Sequence, residues 1–197
     1  MPTTDDTPAT LGAIAAEIRT CTNCKLHGGR THAVPGTGPA DAQVFFVGEG
    51  PGAQEDEQGQ PFVGRSGRFL DELLRSIGLD RETVFITNVV KCRPPGNRDP
   101  HVGEIRACQG YLQRQLDLIR PALVVTLGRF AMRHFLSDGP ISEIHGRPRE
   151  VGGSVVLPLY HPAAALYRGS LRPVVEDDFQ RIPELLETLG RMPDIPS

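Results

Sequence analysis

Apolar residues recur at helical spacing from Leu11 through Ile14, Ala15 and Ile18, directly after Thr10, whose hydroxyl can cap the free amides of a first turn. The periodicity predicts a helix ending near Cys21, preceded by a polar tail over residues 1–9. From residue 43 the pattern changes to apolar runs of strand length alternating with amphipathic stretches. Residues 44–47 form the first run, and residues 66–77 place Leu70, Leu73, Leu74 and Ile77 on one face of a capped helix. A second β-rich run covers residues 83–90. Helical spacing returns over 102–119, then come a strand over 122–127, a helix over 129–137 and a strand over 154–160. An amphipathic helix over 175–189, interrupted early by Pro183, closes the pattern before a short tail at 191–197.

Four alternations of strand and helix imply right-handed crossovers and a mainly parallel four-stranded sheet covered on both faces. The expected fold class is therefore α/β, a single three-layer α/β/α domain spanning residues 10–190. Sheets of this kind bind ligands beyond the carboxyl ends of their strands. Those ends carry the unusual segments: Gly48-Glu49-Gly50-Pro51-Gly52, then Asn88 with Lys91-Cys92-Arg93-Pro94-Pro95, then His161-Pro162. Three loops from distant parts of the chain are expected to meet at one crevice.

The 197 residues carry 21 Lys and Arg against 24 Asp and Glu, so a polycation is excluded and a polyanion must be met by a local patch. Residues 129–149 supply Arg129, Arg133, Arg147, Arg149, His134 and His145. With Lys91, Arg93, Arg98, Arg168 and Arg172 they predict a basic rim, while acids gather at 5–6, 55–57 and 176–187. The 22 glycines and 18 prolines point to long shaped loops. No apolar run approaches the ~20 residues that span a bilayer, and the first residues lack the basic and apolar regions of a signal peptide. The expectation is a soluble, cytoplasmic chain.

The four cysteines, Cys21, Cys24, Cys92 and Cys108, are the complete thiol set. Four thiolates hold either structural zinc or an iron–sulfur cluster, and spacing leaves both open. Gly48, Gly50 and Ala53 also satisfy a loose dinucleotide fingerprint, with Asp71 as a ribose acid. That alternative, a nicotinamide-dinucleotide-dependent oxidoreductase, is opposed by Pro51 and by Glu55-Asp56-Glu57, which place a kink and negative charge where a pyrophosphate needs bare amides. The acidic trio reads as a solvated turn. A second alternative is a non-catalytic four-cysteine metal module that binds DNA. Both leave three residues without a role: Phe62 in a Gly/Pro loop, Asn88 ending a β-rich run, and His161 ahead of a small-residue loop tipped by Leu166-Tyr167-Arg168.

Taken together, Gly48-Glu49-Gly50-Pro51-Gly52 with Glu55-Asp56, Gly59-x-Pro61-Phe62-Val63-Gly64, Asn88-Val89-Val90-Lys91-Cys92-Arg93-Pro94-Pro95 and His161-Pro162 resemble the family-four uracil-DNA glycosylases over about residues 11–190. The resemblance implies a [4Fe-4S] cluster on Cys21, Cys24, Cys92 and Cys108. It also implies hydrolysis of the N-glycosidic bond of a uracil flipped out of single- or double-stranded DNA by a monomeric enzyme. In that picture Phe62 stacks on the base, the Asn88 amide pairs with its edge, and Gly50, Gly52 and Glu55 complete the substrate contacts. His161 donates to a uracil oxygen and Glu49 is the carboxylate near the sugar, with Glu55 and Asp56 as alternates. Leu166, Arg168 and Arg172 touch DNA. Family-one enzymes carry a catalytic Asp where this chain has Gly50 and a thymine-excluding Tyr where it has Gly52, so both tasks are arranged differently here.

Overall fold

Five strands form one sheet in the computed structural model, which describes residues 10–137 and 139–190; the two expected tails lie outside the described residues. They are β1 (Val44–Gly48), β2 (Phe85–Asn88), β3 (Leu123–Leu127), β4 (Arg149–Val151) and β5 (Ser154–Leu159), in the spatial order β2-β1-β3-β5-β4. The four expected strands are the four parallel ones. The additional strand, β4, pairs antiparallel with β5 at the edge. Its three residues, Arg149, Glu150 and Val151, are too short and too polar to register as an apolar run. The signal that does exist is the turn: Gly152 and Gly153 both take positive φ (57° and 83°), which a two-residue hairpin requires.

β1 and β3 are buried at every position, as strands covered on both faces must be. One face packs Phe46 beneath α3 (Arg65–Ser76), α7 (Pro162–Tyr167) and α8 (Arg172–Thr188), through Leu70, Leu73, Ala165, Phe179 and Ile182. Phe46 and Phe179 stack at 6.0 Å between ring centroids. The other face packs Phe45 and Phe85, stacked at 5.0 Å, beneath α4 (Val102–Ile119), α5 (Arg129–Phe135) and α6 (Ile141–Ile144). Truncating a fully buried ring such as Phe46 to Ala costs about 3–5 kcal/mol.

α1 (Leu11–Thr20) begins as its cap residue dictates, with the Thr10 hydroxyl accepting from the Ala13 amide at 3.1 Å. Its buried residues Ile14 and Ile18 pack beside Cys92 and Cys108. The expected break at Pro183 does not occur: α8 runs unbroken through it, starting three residues earlier than its apolar spacing suggests. The proline removes one amide from the ladder, but the buried stripe Val175, Phe179, Ile182 and Leu186 holds the helix on the sheet. The Gly/Pro stretch before β1 covers the outer edge of β2, where Thr37 and Ile86 exchange backbone hydrogen bonds at 2.9 and 2.8 Å. Gly38 is obligatory there: its φ is +134°, and a Cβ would lie 2.2 Å from the Val84 carbonyl oxygen. No helix among the described residues is long and apolar enough to cross a membrane.

Candidate active site

The carboxyl ends of β1, β2, β3 and β5 open into one crevice of about 660 Å³, within the range of small-ligand sites. Glu49, Gly50, Phe62, Asn88, His161 and Tyr167 are among its lining residues. The crevice lies beside the point where connections from β1 and β3 diverge, the expected place in a sheet of this order.

Register brings the first two residues of the site together. Gly48 pairs with Asn88 across β1 and β2, and a Cβ on Gly48 would lie 2.4 Å from Asn88 Oδ1 and 2.7 Å from Phe62 Cζ. Glycine is thus what lets the Asn88 amide and the Phe62 ring share the end of β1. Asn88 is buried, and its side-chain amide hydrogen-bonds to none of the described residues. Its backbone carbonyl, by contrast, is tied down by Lys91 Nζ at 2.8 Å. The same ammonium donates to Thr87 Oγ1 at 2.6 Å and to Gln115 Oε1 at 2.8 Å. Burial among these neutral acceptors pulls the Lys91 pKa down to about 7. Sequence reading placed Lys91 on the surface rim; a fully enclosed lysine leaves no mark in a sequence.

Phe62 sits in the loop between α2 (Ala53–Gln58) and α3, with φ at +54° and its ring buried. The ring stacks on His161 at 5.4 Å. Reading Glu55-Asp56-Glu57 as a solvated turn is overturned for two of the three residues. Glu55 is buried and its Oε1 accepts from the Val63 and Gly64 amides at 3.0 and 2.9 Å; Asp56 is buried and accepts from the Thr31 amide at 2.9 and 3.1 Å. These carboxylates brace loops, and only Glu57 faces solvent.

His161 caps the first turn of α7, where its Nδ1 accepts from the Ala163 amide at 3.1 Å. That bond assigns the neutral ring's proton to Nε2. Burial holds the imidazole neutral, with a pKa down at about 4. Glu49, half-buried at the end of β1, has its pKa raised, first by burial and then by the charge of Asp99, against the opposing pull of Arg129. Asp99 and Arg129 themselves pair at 2.8 Å. Arg98, in the same wall, is held by Glu104 through contacts of 2.9 and 2.7 Å. Glu104 also accepts from the His101 amide at 2.7 Å, and Arg98 leads the interactions that drop the Glu104 pKa to about 2.

The tip after His161 divides. Leu166 turns inward against the core, Tyr167 stands out at 92% exposure, and Arg168 is exposed beside it. Arg172 lies over the Phe69 ring and pairs with Glu72 at 3.1 Å and Glu176 at 2.8 Å. The basic rim is also less continuous than its sequence suggests. Arg129 borders the crevice, whereas His145 and Arg147 line a separate cavity with Asp177 and Asp178, where His145 Nδ1 meets Asp178 Oδ2 at 2.7 Å.

The four cysteines, all free thiols, line one small cavity between α1, α4 and the loop after β2. Burial raises the Cys92 thiol and pushes Cys108 up to about 11. Three N–H donors aim at the sulfurs: Arg30 Nη1 at Cys92 (3.0 Å), the Lys91 amide at Cys108 (3.3 Å) and the Asn23 amide at Cys21 (3.5 Å). Such donors suit thiolates rather than thiols. Among the described residues no three His, Cys, Asp or Glu side chains converge tightly on the place of a single metal ion.

Residues 35–186 match the family model of the uracil DNA glycosylase superfamily. The chain is 50% identical over 184 residues to the type-4 uracil-DNA glycosylase of Archaeoglobus fulgidus, covering 89% of this chain and 92% of that one. It is 46% identical over 194 residues to the type-4 enzyme of Sulfurisphaera tokodaii (92% and 87% covered). The chain belongs to the type-4 uracil-DNA glycosylases. The type-4 enzyme of Thermotoga maritima is likewise similar, at 42% over 182 residues (90% and 95% covered). For this glycosylase the dinucleotide reading of Gly48, Gly50 and Ala53 falls away. The helix after those glycines has only six residues, and two of them are the buried acids Glu55 and Asp56.

Proposed function

We propose that this glycosylase catalyses the first step of base excision repair: it extrudes uracil from DNA and hydrolyses the N-glycosidic bond, leaving an abasic site. The observation that carries the assignment of roles is the meeting, in one crevice, of an aromatic ring (Phe62), a neutral N–H donor (His161), and an amide (Asn88) and a carboxylate (Glu49) whose side chains hydrogen-bond to none of the described residues.

Asn88 meets the Watson–Crick edge of the flipped base, its oxygen accepting from N3–H and its nitrogen donating to O4, a pattern that cytosine inverts. Phe62 offers a face to the ring, and Gly50 and Gly52 line the crevice beside it, where a Cβ would press on Val90 Cγ2 or Glu55 Oε2 at 2.7 Å. As the bond between C1′ and N1 breaks, the electron pair leaves with uracil and negative charge spreads to O2. His161 Nε2–H, already neutral and oriented, stabilises that charge without first having to lose a proton. A water oxygen bonds to C1′ and Glu49, whose pKa is raised, takes the water's proton. Glu55 and Asp56 are unsuited to that task because backbone amides already engage their oxygens. Tyr167 fills the gap left in a duplex, and Arg168 contacts a flanking phosphate.

Cys21, Cys24, Cys92 and Cys108 would hold a [4Fe-4S] cluster. A set of thiols that shares a cavity without converging on one point favours a polynuclear centre, in which each iron takes one sulfur, over a single zinc. When bound, the cluster supplies no redox step to a hydrolysis; it fixes the loop that runs from Cys92 past Pro94, Asn97 and Arg98 along the crevice wall.

The test is single-turnover incubation of the iron-loaded protein with an oligonucleotide containing one uracil, followed by alkaline cleavage and detection of free base. Strand scission at the uracil position is expected, with none for cytosine or thymine. Intact strands throughout would overturn the assignment.

A further inference from the structure

Arg81 lies outside the crevice, in the turn after α3, yet its guanidinium reaches back to the loop that carries Phe62. Nη1 donates to the Pro61 carbonyl at 2.9 Å, Nη2 donates to the Phe62 carbonyl, and Nε donates to Asp71 Oδ1 at 2.6 Å. One planar fork thus grips two consecutive carbonyls while a carboxylate on α3 holds the fork itself.

What it grips is unusual. Phe62 takes φ of +54°, a region that side chains with a Cβ occupy only when the surroundings over-determine it. The clamp has three parts. Glu55 Oε1 takes the amides of Val63 and Gly64, Arg81 takes the carbonyls of Pro61 and Phe62, and the first turn of α3 closes over the loop. At that last contact a Cβ on Gly67 would lie 1.7 Å from the Phe62 carbonyl oxygen. Relaxing Phe62 to an ordinary negative φ rotates its carbonyl away from Arg81 and swings its ring away from His161 and the end of β1. Backbone conformation and ring placement are therefore one variable, and Arg81 is one of the three contacts that bear on it, the one that holds the carbonyls.

We propose that Arg81, oriented by Asp71, is a positioning residue for base capture: it fixes the ring of Phe62 against which the flipped base rests, without itself touching DNA. The inference rests on the reading of Phe62 given above. A lysine cannot replace it, because a single ammonium lacks the planar fork that reaches both carbonyls and the carboxylate at once.

The experiment uses the iron-loaded protein and compares Arg81→Met and Arg81→Lys, each alone and combined with Phe62→Leu, in single-turnover excision from a single-stranded uracil oligonucleotide across enzyme concentrations. Melting temperature and affinity for a uracil-free strand are measured in parallel. Arg81→Met is expected to lower the apparent second-order rate about tenfold in the parent but no more than about twofold in the Phe62→Leu background, the non-additivity of residues acting as a unit. Affinity for the uracil-free strand stays unchanged. Arg81→Lys, which keeps charge and stem, is expected to lose most of the same factor with an unchanged melting temperature, and decides the matter if Arg81→Met does not fold. Equal losses in both backgrounds, or wild-type behaviour of Arg81→Lys, overturn the inference while leaving Phe62 in its role. Wild-type excision by Phe62→Leu alone overturns the reading of Phe62 and the inference with it.

Discussion

A methyl group at position 48 tests the geometry of base recognition more sharply than deleting any recognition residue. In Gly48→Ala the new Cβ lies 2.4 Å from Asn88 Oδ1, 2.7 Å from Phe62 Cζ and 2.9 Å from Phe62 Cε2. Ordinary contacts begin near 3.4 Å, so both side chains must retreat, Asn88 by roughly 1 Å and Phe62 by roughly 0.5–0.7 Å. Neither is the far end of a flexible stem. Asn88 sits on a strand registered directly opposite Gly48, and the Phe62 ring is held between His161 and the braced loop. Inserting a methyl into packing of this kind costs about 1–3 kcal/mol of stability. For a domain of this size that lowers the melting temperature by some 2–12 °C. A displacement approaching 1 Å in a group that positions substrate costs on the order of 10²-fold in rate. Single-turnover excision at saturating enzyme, with a melting curve from the same preparation, separates the two effects. A folded Gly48→Ala protein retaining activity within about twofold of the parent would show that Asn88 and Phe62 do not recognise the base as a rigid pair.

Glu49→Gln and His161→Ala are each expected to lower single-turnover excision by on the order of 10²-fold or more while sparing DNA affinity, since both act on charge that arises in the transition state; equal losses in rate and binding count against this. His161 carries a folded pKa near 4, below its usual 6.5. The unfolded chain therefore takes up the proton first, so its contribution to stability is complete above about pH 6.5 and falls away as pH drops towards 4 and below. A melting-temperature profile should flatten over that window in His161→Asn, and an unchanged profile refutes the assignment. Tyr167→Ala should slow excision from duplex more than from single strands, because only a duplex has stacking to restore. Cys108→Ser should lower bound iron and visible absorbance together with melting temperature, and full iron content in that variant would exclude the four-thiolate centre.

The sheet was legible because its central strands are buried on both faces: a run such as Val44-Phe45-Phe46-Val47 reads as a strand covered on both sides in an α/β chain. The crevice followed from strand ends, since Gly48, Asn88 and His161 break their apolar runs where topology puts a ligand. What stayed hidden shares one physical cause, the long-range pairing of polar groups. Glu55 and Asp56 look like surface acids until the amides of Val63, Gly64 and Thr31 arrive from other segments. Lys91 looks like a rim cation until Thr87 and Gln115 enclose it, and Arg81 looks like any turn residue. Pro183 misled in the opposite direction, because local helix chemistry was outweighed by the apolar stripe of α8. The edge strand β4 is defined by its partner and its Gly-Gly turn rather than by its own three residues.

The spacing of the cysteines has a thermodynamic consequence. Cys21 and Cys24 both lie in the short stretch just after the first helix, whereas Cys92 and Cys108 lie beyond two strands of the sheet. A centre held by all four would act as a covalent staple, closing the stretch from Cys24 to Cys92 into a ring. By the entropy of the unfolded chain alone, a loop of that length is worth about 4 kcal/mol, a large part of the net stability of an ordinary domain. Unlike a disulfide, an iron–sulfur staple of this kind would persist at low redox potential, and its strength would follow the supply of iron and sulfide.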